Sequence, residues 1–344
     1  MSKKISINML SSADKVPGQG VGSAYIELIK LLNEKAKDKF NVEINKGIKY
    51  DILHAHTVDL PNYIKLKLTK GKKVAYVHFL PDTLDGSIKL PKPIFKIFKN
   101  YVISFYKSAD KLVVVNPIFI KDMVNAGLDR KKIVYIPNFV SKEEFYKIDN
   151  KKRYEIRKKY NLSEDDFVVL GAGQVQTRKG VLDFVKVAES MPDVKFVWAG
   201  GFSFGAVTDG YKELKEIMDN PPKNVQFIGI IPREEMNGLY NIADTLFVPS
   251  YNELFPMTIL EALSCETPIV LRDLDLYKDI LFEKYLKGSN NKDFTKRIRA
   301  LKDNKAIYNK AVKNAIEVSN FYSKEHIFKL WDEFYNDLYN ESND

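Results

Sequence analysis

Residues 245–271 read TLFVPSYNELFPMTILEALSCETPIVL. An apolar run of strand length, 245–249, is followed by a short polar loop. A helical pattern opened by Pro256 then runs to about residue 265, and residues 268–271 form a second apolar run. Strand, loop, helix, strand in that order is one crossover unit of a parallel sheet. Parallel sheets are covered on both faces, so this stretch commits the chain to an α/β architecture.

The helix in this unit starts in a loop at the carboxyl end of a strand, where open α/β sheets bind ligands. Its first backbone N–H groups, at about Met257 and Thr258, would face that crevice and favour an anion. Glu253 lies in the loop and Glu261 on the helix eight residues later. Both carboxylates can accept from sugar hydroxyls. An anion at the helix start with hydroxyls on either side describes a nucleotide-sugar. Two glutamates at this spacing also arise by chance, but a loop Glu before a Pro-initiated helix has no evident packing role.

The same stretch resembles the E-x₇-E segment of glycosyltransferase family 4, the retaining transferases of the GT-B fold. Pro249, Ser250, Glu253, Glu261, Ala262 and Pro268 match its usual form, whereas Glu266 stands where the family has glycine before Thr-Pro. The resemblance implies two Rossmann-like domains facing each other across a cleft. It also implies a UDP-hexose donor held by the second domain and an acceptor held by the first. The donor is then a substrate, and neither cofactor nor metal is expected.

A length of 344 residues suits two such domains. They are expected over residues 1–145 and 160–320, joined by the charged segment 140–166, with a helix near residues 151–160. The resemblance further implies that a last helix, about 324–344, returns to the first domain. The one cysteine, Cys265, allows no internal disulfide and suits a reducing compartment. No run of about twenty apolar residues would span a membrane, and the first residues read as a strand rather than a signal peptide.

Charge is unevenly spread. Of 54 Lys and Arg, 32 fall in residues 1–160, against 16 of the 45 Asp and Glu. The basic first half implies an anionic partner, with nucleic acid and an anionic membrane surface both candidates.

In that half, residues 5–10 read as a strand followed by the loop Gly18-Gln19-Gly20-Val21-Gly22 and a helix from about Ser23. The glycines would let backbone N–H groups approach a ligand. Ser23 stands where a dinucleotide fingerprint needs its third glycine, which weakens that reading, and a plain flexible loop is equally open. In the family a comparable loop faces the cleft, which makes Gly20 and Gly22 donor-site candidates. His54 and His56 alternate onto one face of a strand. They read as structural or cleft-lining, because no third metal ligand is suitably spaced. His78 ends the strand KVAYVHF; it is either a core histidine or, by resemblance, the histidine that contacts the donor sugar.

In the second half, residues 167–171 begin a strand leading into GAGQVQTRKG. A cation between a strand end and a helix start suits a diphosphate. Lys179-Gly180 matches the family's K-G, but Gln174 replaces its arginine, and Arg178 could supply that charge. The resemblance thus implies catalytic roles for His78, Lys179 and Glu253. The donor site would also include Gln174, Arg178, Glu261 and the helix start from Phe255 and Pro256 through Met257 and Thr258.

GQGVGSAY, GAGQVQTRKG and LRDLDLY look closest to family members that add a second hexose, glucose or galactose, to monoglucosyl-diacylglycerol. A soluble glycan or cell-wall acceptor is the alternative. A nucleic-acid-binding protein is remote, since no such motif is present and E-x₇-E would go unexplained. A lipid acceptor implies a cytoplasmic enzyme held peripherally at the inner face of the membrane. The candidate contact is KLPKPIFKIFKNYVISFYK, residues 89–107. At helical spacing Lys89, Lys92, Lys96 and Lys99 share an arc of about 80°, with Leu90, Ile94, Ile97, Phe98 and Tyr101 on the other side. A surface helix with its apolar face in the core reads the same way; lysine interleaved with aromatics favours an interfacial helix.

Overall fold

The computed structural model describes residues 3–12, 20–78, 80–81, 91–202, 205, 208–253 and 255–341. They divide into two compact units. The first holds the described residues up to 81, 91–139 and 322–341, and the second holds 140–321.

The first unit runs β1 (Ile5–Leu10), α1 (Gly20–Lys35), β2 (Phe40–Ile44), β3 (Ile52–Ala55), α2 (Leu60–Leu68), β4 (Lys72–Val77), α3 (Lys92–Lys107), β5 (Lys111–Val114), α4 (Phe119–Asn125) and β6 (Ile133–Tyr135). Its sheet is parallel throughout, in the order β2-β1-β3-β4-β5-β6. The direction of winding reverses between β1 and β3, which makes the carboxyl ends of those strands the expected ligand edge.

The second unit runs α5 (Asn150–Lys159), β7 (Val168–Ala172), α6 (Val181–Glu189), β8 (Lys195–Ala199), α7 (Tyr211–Asp219), β9 (Val225–Phe227), α8 (Arg233–Ile242), β10 (Thr245–Val248), α9 (Met257–Ser264), β11 (Ile269–Arg272), α10 (Lys278–Leu281), β12 (Leu286–Gly288), α11 (Asn291–Asp303) and α12 (Lys305–Phe321). Its order, β12-β11-β10-β7-β8-β9, reverses between β7 and β10. Every residue of β7, β10 and β11 is buried, as strands covered on both faces require. Phe184 meets Phe196 and Trp198 edge to face and stacks on Phe247, which is tilted against Phe294.

The last helix, α13 (Lys324–Asn340), belongs to the first unit. Ser323 caps it by accepting from His326 N–H. Trp331 and Tyr335 are buried, with the Tyr335 ring 5.6 Å from Phe40.

Two expectations change. The helix after the glycine loop begins at Gly20, not Ser23, so Gly20 and Gly22 stand in its first turn, where the N–H groups have no intrahelical partner in any case. The rest of that loop, including Gly18 and Gln19, lies outside the described residues. Residues 140–166 are built into the second unit. Arg157 on α5 is buried and donates to the carbonyls of Ser163, Glu164, Asp166 and Ile242 and to Asp244 Oδ2 at 2.9 Å. Asp244 also pairs with Arg153 at 2.7 Å, so removing Arg157 chiefly leaves the four carbonyls without this donor. Arg157→Ala is expected to cost about 1–3 kcal/mol, read as a lower denaturant midpoint with an unchanged slope.

Candidate functional site

The winding reversal in the second unit places the loop after β7 beside the loop after β10. Lys179 closes a short 3-10 turn in the first loop, and Glu253 lies in the second. Lys179 Nζ is 2.5 Å from Glu253 Oε1, and Arg178 Nη1 is 3.6 Å from Glu253 Oε2. Arg178 also donates to the carbonyl of Asn252. The backbones are tied as well, by Tyr251 N–H donating to Arg178 O at 2.8 Å. Gly180 follows at φ +70°, and a Cβ there would stand 2.4 Å from the carbonyl oxygen of Pro249, so this approach requires glycine.

Burial opposes the charge on both partners. It lowers the Lys179 pKa below its ordinary value, although the Glu253 carboxylate works against that. Burial also opposes ionisation of Glu253, but Lys179 and Arg178 outweigh it and hold the carboxyl below the ordinary carboxylate range. Glu253 is therefore ionised near neutral pH, and its charge opposes deprotonation of Lys179.

The strand below supports the arrangement. Arg272, at the carboxyl end of β11, donates from Nε to Pro249 O at 2.8 Å and pairs with Asp183 on α6 at 2.5 Å. Its guanidinium lies 3.9 Å from the Tyr251 ring centre, and Tyr251 OH donates to the same Asp183. The apolar run ending in an arginine at a strand terminus was the available sequence signal for Arg272; nothing near it pointed to Asp183.

Glu261 is buried on α9 with both oxygens engaged, Oε1 by Arg233 Nη1 at 2.7 Å and Oε2 by Tyr240 OH at 2.6 Å. Each oxygen keeps a second lone pair. The start of α9, with Pro256 at its cap position, has no side-chain cap; Phe255 and Met257 are buried and Thr258 is half-buried. Gln174 accepts from Gln176 Nε2 at 2.6 Å. Glu266 takes φ +61°, a left-handed conformation that costs an L-residue about 1–2 kcal/mol. The family's glycine at this position would avoid that cost.

In the first unit His78 directly follows β4. His56 Nδ1 is 3.3 Å from its Nε2, and His54 Nδ1 is 2.8 Å from Tyr335 OH. His78 therefore joins His54 and His56 in space. Even so, no group of three or more His, Cys, Asp or Glu among the described residues is placed to hold a metal ion. Burial drives the pKa of His78 down to about 3; burial with the neighbouring His78 does the same to His54, and His56 lies well below its ordinary value. All three are neutral near pH 7.

Lys89 lies outside the described residues, and for Lys92 only the backbone in α3 is described. Lys96 is exposed, and Phe98 and Lys99 are half-buried. The face of α3 that is buried carries Val102, Phe105 and Tyr106; Ile94 and Ile97 are 51% and 70% exposed rather than packed inward.

Residues 152–318 match the family described as Glycosyl transferases group 1, and residues 26–144 match Glycosyltransferase Family 4. The chain is 50% identical to the alpha-galactosylglucosyldiacylglycerol synthase of Streptococcus pneumoniae over 97% of its own length and 90% of that protein's. It belongs to the family 4 glycosyltransferases. A second relative of this transferase, the processive diacylglycerol alpha-glucosyltransferase of Acholeplasma laidlawii, is 30% identical over 81% of this chain and 82% of its own. Sucrose-phosphate synthase from Thermosynechococcus elongatus superposes with a TM-score of 0.80 at 16% identity, covering 98% of this chain and 100% of that one. Anabaena HepE in complex with UDP-glucose gives 0.78 at 16% identity, over 97% and 100%. At such identity these likenesses concern the fold, which is the expected GT-B class.

With the Glu253 carboxylate removed, burial of Lys179 goes unopposed and its pKa falls further. In Glu253→Gln the alkaline limb of the kcat/KM profile is therefore expected to move to lower pH than in the parent, measured by initial rates across pH.

Proposed function

We propose that this transferase moves an α-galactosyl unit from UDP-galactose to glucosyl-diacylglycerol, with retention of configuration. The observation that carries the reading is the identity of 50%, sustained over 97% of the chain, with a synthase named for that product class. The activity for which that relative is named favours galactose where the sequence left glucose open.

In this reading Lys179 and Arg178 neutralise the leaving diphosphate, with Arg178 replacing the charge that Gln174 lacks. The N–H groups of Met257 and Thr258 add donors at the helix start. Glu261 holds the ribose with its remaining lone pairs, and Glu253 and His78 hold the hexose. No protein nucleophile is assigned. Rate comes from orientation and from charges already fixed where the diphosphate develops its own. Glu253 has a second task, since its charge favours the protonated form of buried Lys179. A lowered turnover in Lys179→Ala and a weakened donor affinity in Glu261→Ala are the matching outcomes.

The acceptor lies in a bilayer, and we place the contact surface on α2 and α3. Tyr63 OH lies 2.6 Å from Ser104 Oγ, so the two helices touch there. Leu60, Ile64 and Leu68, four residues apart, are exposed along one stripe of α2, alongside exposed Ile94 and Ile97 on α3. Lys67, Lys70 and Lys96 are exposed on the same helices and at their edge. Apolar tips beside lysines are the composition of an interfacial surface. No described helix is long and apolar enough to cross a membrane.

Incubating the protein with UDP-galactose and glucosyl-diacylglycerol is expected to give an α-linked galactosylglucosyl lipid whose anomeric proton identifies the linkage by NMR. A β-linked product, or transfer only to soluble glycans, would reject the reading. Each lysine near an anionic surface is worth about 1 kcal/mol. Changing Lys89, Lys92, Lys96 and Lys99 to Glu should therefore abolish co-sedimentation with anionic vesicles. Equal, salt-insensitive sedimentation of parent and variant would remove the membrane assignment.

A further inference from the structure

His54 in β3, His56 just after it and His78 just after β4 form a row, with ring centres 4.3 Å apart between His54 and His56 and 5.6 Å apart between His56 and His78. His54 and His56 are fully buried, and the Nε2 atom of each has no hydrogen-bond partner among the described residues. A neutral imidazole carries one proton, so the tautomer of each ring decides what its unpaired nitrogen is. If His78 donated to His56, the proton of His56 would have to sit on Nε2, as a buried N–H with no acceptor. If Tyr335 donated to His54, the same would hold there. Orphaned buried N–H groups are rarer in native proteins than under-satisfied acceptors. For His56 the orphan is avoided by donating from Nδ1 to His78 Nε2; for His54 either choice leaves one buried donor, its own Nε2–H or the Tyr335 hydroxyl, without an acceptor among the described residues.

We propose that His56 is a positioning residue: by donating its Nδ1–H to Nε2 of His78 it fixes the tautomer in which His78 keeps its proton on Nδ1. His78 then offers a hydrogen-bond donor to an acceptor oxygen of the transferred sugar, and cannot serve as a base through Nε2. The role of this donor in turnover rests on the reading above that His78 touches the hexose. The low basicity of all three rings keeps the row neutral, so the tautomer persists across the working pH range.

The chain has four histidines, few enough to assign each ring in a ¹⁵N-labelled full-length enzyme. The His78 ring is expected to show a protonated Nδ1 and a bare Nε2. His56→Asn, whose amide can donate from nearly the place of Nδ1, should preserve that spectrum. His56→Phe should lose it and lower kcat by about tenfold, the worth of one hydrogen bond, with little change in KM for UDP-sugar. His56→Asn should restore most of that loss. A proton on Nε2 of His78 in the parent would overturn the proposal, as would equal kcat values for His56→Phe and His56→Asn. Parent-like turnover of His78→Phe would overturn the sugar-contact reading instead; the parent spectrum would still decide the tautomer.

Discussion

The contact between Lys179 and Glu253 is the interaction on which the second unit's ligand edge depends. The two residues are 74 positions apart in sequence and are brought together only because the sheet reverses its winding between β7 and β10. Around that contact the backbone is close enough that position 180 cannot carry a side chain. Arg272 and Asp183 hold the β10 loop from below. The geometry of the pair is thus set by the strands, the most rigid part of the unit, rather than by the loops alone.

A buried ion pair is a poor device for stability, because desolvation offsets most of the attraction. At a ligand edge the balance has a use. Each partner favours the charged form of the other in surroundings that oppose it, and such groups are in place before any substrate arrives. Glu261 follows the same logic. Arg233 and Tyr240 hold its carboxylate in one orientation, leaving one lone pair per oxygen for hydroxyls. The histidine row differs, since burial there strips charge and leaves neutral groups whose orientation is set by hydrogen bonds.

Much of this was legible in the sequence because strands buried on both faces write themselves as apolar runs. β1, β10 and the segment around α9 appear where the pattern placed them, with Glu253 in the loop after β10 and Glu261 on α9. Features that depend on distant residues were not legible. The Arg272–Asp183 pair spans 89 positions, and Tyr335 reaches His54 across 281. β2 and β12 escaped notice because the first is a half-exposed edge strand and the second has three residues. The spacing of His54 and His56 showed no third histidine, since His78 reaches them through sheet pairing and not through sequence. α3 was read correctly as amphipathic, yet the exposure of Ile94 and Ile97 follows from which face its neighbours cover, which periodicity alone does not state.

The account claims that Lys179 and Glu253 act as one unit in transfer. A double-mutant cycle on kcat with UDP-galactose, using Lys179→Met, Glu253→Gln and the double variant, measures this directly. Groups acting as a unit should show a coupling of roughly 0.5–3 kcal/mol, the double variant being little worse than the more damaging single one. Strictly additive losses would contradict the claim.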